Sequence, residues 1–201
     1  MNRKNSVFDG LLNDNTVLSS FMVISPIIIC GDTLRNAVAL IYAFSAITFL
    51  SVMFGSFVPQ KLPYALKIII YAVISSLVYI PVRLAAEQFF PDIIPRIGIY
   101  FMLLAVNSLI TVQTEAKFYR MKRGRMILSL IFYIVGFDTV MLITASVREL
   151  LAYGTVYDRI VDADILISGL GKPFGGFIFL GLFCGVYRKI RFMANHLKGA
   201  N

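Results

Sequence analysis

Charge is scarce in this chain, and so are the residues that build soluble active sites. Only 15% of its 201 residues are charged, with 11 acids against 19 bases, one histidine and two cysteines. A water-soluble domain carries about a quarter charged residues, so that class is excluded. The single histidine, His196, lies in a basic tail without evident ligand partners and reads as solvent-exposed. Cys30 and Cys184 match no metal-binding spacing and form no disulfide framework. Both sit in apolar stretches and read as small buried hydrophobes. No nucleophile stands beside a base, so catalysis by this chain alone is not expected. Residues 1–14 are polar and lack the basic start, short apolar core and small-residue site of a cleaved signal, so the first apolar segment is expected to stay.

What is present is apolar. Hydrophobic residues make up 58% of the chain and the mean hydropathy is +0.79, which makes the bilayer the solvent. Crossing the hydrocarbon layer of about 30 Å takes about 20 apolar residues as a helix. Six stretches approach or reach that length: 16–30, 37–58, 65–82, 97–112, 126–145 and 174–186, the first and fourth being short. The connections are brief, the longest running over 148–173. The expected fold is therefore an all-α integral membrane protein of six transmembrane helices, forming a single membrane domain over 1–201.

The net charge of +8 raises nucleic acid as a partner, but its distribution points to topology instead. With the N-terminus in the cytoplasm, thirteen of the nineteen basic residues fall inside, including the cluster over 117–125, which reads first as a topology signal and otherwise as a site for acidic membrane lipid or an acidic electron donor. The six left outside are Arg35, Arg83, Arg96, Arg148, Arg159 and Lys172. Both termini are then cytoplasmic, in a multi-pass protein of the cytoplasmic (inner) membrane, and no nucleic acid is expected. Asp158, Asp162 and Asp164 read as solvated loop in the long outer connection.

Two interruptions organise the chain. The first segment ends at Cys30-Gly31, and Asp32-Thr33 then supply N-cap chemistry for the next helix, near Asn36-Ala37. The fourth segment breaks at Asn107-Ser108 and continues through Thr111, Gln113, Thr114 and Glu115. Unpaired backbone at membrane depth persists only where protein or a polar cavity covers it. Paired breaks at corresponding places in two three-segment halves, about 1–92 and 93–201, predict a 3+3 inverted repeat with short or broken first and fourth helices and a site near the midplane.

Several residues stand out singly. Asp138 is an acid inside the fifth segment; it reads either as a proton or ion path or as a protonated or arginine-paired acid that locks helices together. Asp32 and Arg35 are three apart and predict a local pair on the first turn of the second helix. Alternatively, Asp32 and Glu115, equivalent in the repeat, surround a central ion or redox group, with Arg35 beside them. The glycine-rich run from Gly169 to Gly176 is no phosphate loop, because no glycine stands five positions before Gly171 and Pro173 replaces the Ser or Thr that would hold magnesium; it reads as helix-entry punctuation. Gly181 and Gly185 form a GxxxG that permits close helix approach, inside the subunit or against a neighbour.

These residues also carry a resemblance. Ser25-Pro26-Ile27-Ile28-Ile29 with Asn36-Ala37, and Gly98-Ile99-Tyr100 through Asn107-Ser108 with Glu115-Ala116, resemble the paired segments of the membrane subunits of Rnf and Nqr electron-transport complexes. The run 67–71, Gly136-Phe137, Arg148-Glu149-Leu150, Pro173 with Gly175-Gly176-Phe177, and Leu180-Gly181 extend the likeness over most of the chain. The resemblance implies a subunit of the RnfE or NqrD orientation, pairing with a homologous inverted subunit. In such a complex flavin-bearing and iron–sulfur subunits pass electrons from ferredoxin or NADH, coupled to sodium or proton movement. It further implies a [2Fe-2S] cluster shared with the partner and held by one cysteine from each break. Here those positions are Ser25 and Ser108, flanked by Pro26 and Asn107, and a hydroxyl is a poor replacement for thiolate. The expectation is a subunit with no cofactor of its own, the flavins being on partner subunits. Cys30, five positions past Ser25, does not rescue the site. Two other readings compete: the substrate-binding membrane subunit of a vitamin (riboflavin-like) transporter, whose small-residue docking helix Ala39 and Ala43 resemble, and a purely structural subunit.

Overall fold

A computed structural model describes residues 15, 17, 18, 24–59, 61–107, 110, 114–116, 118–161 and 166–199. Four helices are long and apolar enough to cross a membrane. In chain order the elements are α1 (Ile24–Cys30), α2 (Leu34–Gly55), α3 (Tyr64–Phe89), α4 (Ile94–Ile97), α5 (Ile99–Leu103), the short α6 (Thr114–Ala116), α7 (Arg123–Tyr153) and α8 (Pro173–Gly199). A two-stranded antiparallel hairpin, β1 (Thr155–Val156) and β2 (Arg159–Ile160), lies between α7 and α8. It is the one strand pair among the described residues, where the sequence predicted only a solvated connection.

Three of the long helices, α3, α7 and α8, overrun the apolar stretches that announce them, whereas α2 is shifted toward the N-terminus and ends at Gly55. Hydropathy falls where charges begin, but the helix continues as long as its backbone bonds do. Thus α3 passes Pro81 and carries an i,i+4 pair, Arg83 Nε to Glu87 Oε1 at 2.8 Å, before ending at Phe89. The larger correction concerns Arg148. The sequence places it in an outer loop, yet α7 runs on to Tyr153 and both Arg148 and Glu149 are buried within it. Gly154 ends the helix in the left-handed region, φ +65°, with its N–H donating to Leu150 O at 3.0 Å.

Around the central pair the packing is uneven. α2 and α7 are each half buried along their apolar windows, against 28% for α3 and 22% for α8. The inner pair therefore forms the core, and α3 and α8 turn leucine, isoleucine and phenylalanine outward, as a lipid-facing helix does. α2 and α7 run antiparallel: Phe44 stacks on Phe137 with centroids 3.8 Å apart, while Leu34 meets Glu149 at the other end. The first and fourth segments form no long helix among the described residues. α1 has seven residues, and α4 and α5, separated by Gly98 at φ +56°, lead into a tight turn over Leu104–Val106.

Candidate functional site

At the first break the chain leaves α1 with exposed carbonyl groups and begins α2 with exposed N–H groups. Both ends are met by neighbouring side chains of α7. Arg148 donates through Nη1 to Ile28 O at 2.7 Å and Gly31 O at 2.8 Å, with Ile27 O at 3.4 Å. Its Nε reaches Leu170 O at 3.0 Å and its Nη2 reaches Lys172 O at 3.4 Å. Glu149 accepts the Leu34 N–H at 2.5 Å through Oε2. A cation therefore faces the carbonyl end of one helix and an anion the N–H end of the next, the favourable sense for both helix dipoles. Thr33 adds the local cap, its Oγ1 accepting from Asn36 N at 3.4 Å.

This arrangement revises the reading of Asp32 and Arg35. Asp32 Oδ1 accepts from Thr33 N at 3.0 Å and from Asn36 Nδ2 at 2.9 Å. Arg35 turns outward and lies 3.4 Å from Asp158 and 3.7 Å from Asp92. The predicted i,i+3 pair is thus replaced: Asp92 and Asp158 offer two carboxylates to Arg35, and the turn's own amides take Asp32. These groups border a small polar cleft with a volume of about 110 Å³, lined by Thr33, Arg35, Asn36, Asp92, Ile93, Arg96 and Asp158.

At the second break Asn107 is buried and closes its own turn. Its Nδ2 donates to Leu104 O at 2.8 Å and Thr48 Oγ1 at 3.2 Å, and its Oδ1 accepts from Ile110 N at 3.0 Å. Glu115 is an ion-pair partner of buried Lys67 from α3 and accepts from Tyr71 Oη at 2.9 Å. Tyr119 stands edge-on to Tyr71 and donates to Val52 O at 3.3 Å. Burial pushes the Tyr119 hydroxyl well above its ordinary range, with Tyr71 and Glu115 adding to the shift, so it remains a donor. Ser108, Thr111 and Gln113 lie outside the described residues, as do Asp162, Asp164 and Lys117.

Between the two breaks lies Asp138. Its Oδ2 accepts from Ser45 Oγ on α2 at 3.0 Å, and among the described residues its buried Oδ1 has no partner. The group that meets it is a hydroxyl and not an arginine. Ser25 is exposed on α1 while Pro26 beside it is buried. Ala39 and Ala43 are fully buried, so they are no docking surface, and Gly181 and Gly185 have open space where a Cβ would stand. Among the described residues, therefore, nothing packs closely against their GxxxG. Sequence reasoning missed Arg148 and Glu149 as site residues; the adjacent opposite charges at the end of an apolar run were the available signal.

Comparison with known proteins agrees with this architecture. The model of the Rnf-Nqr family, described as Rnf-Nqr subunit, membrane protein, matches residues 4–186. Proteins named as subunits of an ion-translocating oxidoreductase complex, from Salmonella paratyphi B, Salmonella heidelberg and Salmonella schwarzengrund, are each 26% identical over 203 aligned positions, covering 91% of this chain and 86% of the relative. With the family matched along nearly its whole length and four membrane-length helices in its fold, the chain belongs to the Rnf-Nqr family of membrane subunits.

Proposed function

We propose that this chain pairs with a homologous subunit of inverted topology in an Rnf/Nqr-like complex, serving transmembrane electron relay coupled to ion translocation without iron–sulfur ligands of its own. The observation that carries the reading is the family match over 4–186. The geometry supports it in three ways. Each half opens on a short helix whose break is sealed by buried polar groups, as a six-crossing 3+3 inverted repeat requires. The exposed face of α1 at Ser25 is open to a neighbour. Asp138 keeps one buried oxygen unmatched among the described residues, which suits an intramembrane group that serves an ion or proton.

The donor set of this chain does not fit a [2Fe-2S] cluster. Ser25 presents a hydroxyl, and Cys30 and Cys184 are free, buried thiols on different helices. Cluster iron is held by thiolate, so no step is assigned through such a group in this subunit. What its own residues do is hold the broken segments in place and offer Asp138 between them. In this reading the flavin-bearing and iron–sulfur subunits supply the redox chemistry, and the basic excess at the inner face favours both termini in the cytoplasm, at the cell membrane.

The test is isolation of the complex through a tag on this subunit after gentle extraction. A homologous inverted membrane subunit and flavin-bearing partners are expected to co-purify, with ion uptake driven by electron donor in reconstituted vesicles. A chain that emerges alone and binds riboflavin tightly would overturn the reading in favour of a vitamin-binding subunit. A complex whose activity ignores Asp138→Asn and Ser25→Ala would leave this chain a structural role only.

A further inference from the structure

The two charged neighbours on α7 do more than cap the first break, because each also holds part of the chain that follows α7. Arg148 binds the carbonyls of α1 at Ile28 and Gly31 and, from the other side of the same guanidinium, those of Leu170 and Lys172 ahead of α8. Glu149 binds the first N–H of α2 through Oε2 and the hairpin through Oε1, which accepts from Thr155 Oγ1 and from Asp158 N, both at 3.1 Å. Thus one side chain joins α1 to the loop's end and the other joins α2 to its beginning.

We infer that Arg148 and Glu149 are positioning residues that fasten the hairpin over 154–161, the stretch 166–172 and the α1–α2 break into one unit, so that loosening the hairpin loosens α1, the helix bearing Ser25. A guanidinium is suited to this because its fixed fork serves two sets of acceptors at once, which a lysine ammonium on a flexible stem does not do. The hairpin turn supports the same conclusion. Tyr157 and Asp158 both lie in the left-handed region, φ +54° and +61°, a strained conformation for residues with side chains. It persists where surrounding structure enforces it, and here Glu149 takes the Asp158 N–H while Arg35 of α2 takes its carboxylate. Hairpin, loop end and both helix ends of the break therefore share ties that run through two adjacent residues.

Hydrogen–deuterium exchange on the complex, purified through a tag on this subunit, tests the inference without reference to its activity. Thr155→Val removes one loop bond to Glu149 at a half-buried position and leaves the Leu34 cap untouched. Exchange is expected to quicken about five-fold or more, the effect of losing one hydrogen bond on a local opening, and to do so in 154–161 and 24–36 together. Thr155→Ser retains the hydroxyl and should restore the original rates in both. Quickening confined to 154–161, or equal quickening in the serine variant, would overturn the inference. Arg148→Lys should loosen 24–33 and 166–172 together, and loosening of one alone would overturn it as well; where that variant does not assemble, the threonine pair still decides.

Discussion

Phe44 and Phe137 stack at the crossing of α2 and α7, with centroids 3.8 Å apart and ring planes 25° from parallel. Both rings are fully buried, and the next residue on each helix continues the contact, Ser45 donating to Asp138. Removing either ring opens a cavity where the two central helices meet. In a soluble core Phe→Ala costs about 3–5 kcal/mol, part of it lost transfer from water. Inside a bilayer the unfolded helices stay in lipid and the packing share remains. Phe44→Ala and Phe137→Ala should each lower the thermal midpoint of the detergent-solubilised protein, by less than the soluble figure implies, with the double variant little worse than the singles because they vacate one contact.

Asp138→Asn separates the two readings of that acid. Asparagine keeps an oxygen for the Ser45 hydroxyl while removing a group that is expensive to charge at membrane depth. Stability is expected to hold or rise, and ion movement by the reconstituted complex to fall. A drop in thermal midpoint with transport intact would make Asp138 a helix lock and remove it from the ion path.

Much of this was legible in the sequence, and the remainder has a physical reason. Apolar length marked the four long helices, and Thr33 and Pro173 marked helix starts as local chemistry predicts. The short first and fourth segments were visible as well, because polar residues interrupt them. Arg148 and Glu149 were misplaced because hydropathy treats any charge as an exit from the membrane. Their partners, Ile28, Gly31 and Leu34, lie more than a hundred residues away in sequence and give no local signal. The Asp32–Arg35 pair failed for a related reason: i,i+3 spacing permits a contact, but backbone amides and distant carboxylates competed better for each side chain.

Lys67 and Glu115 should behave as a buried ion pair, worse halved than removed. Lys67 is 6% exposed, and losing it leaves the carboxylate in a site where Tyr71 also donates to it. Breaking such a pair from one side costs about 3–5 kcal/mol, whereas replacing both partners is far milder. Lys67→Met and Glu115→Gln are each expected to lower the thermal midpoint strongly, and the double variant to recover most of the loss. Additive losses in that cycle would show that the two groups act independently.

Three glycines of α8 differ in what a side chain would meet, which makes them a graded probe of the helix. At Gly176 a Cβ would lie 3.0 Å from the Arg148 guanidinium carbon, close enough to displace the group that holds α1. At Gly181 and Gly185 it would meet nothing within 4 Å among the described residues. Alanine in mid-helix gains about 0.5–1 kcal/mol over glycine from backbone entropy alone. Gly181→Ala and Gly185→Ala should therefore leave the subunit unchanged or slightly more stable in a thermal melt, while Gly176→Leu should lower the midpoint and quicken exchange in α1. If Gly176→Leu melts like the original protein, the guanidinium has room that the geometry denies it, and Arg148 is not held as tightly between α1 and α8 as its hydrogen bonds imply.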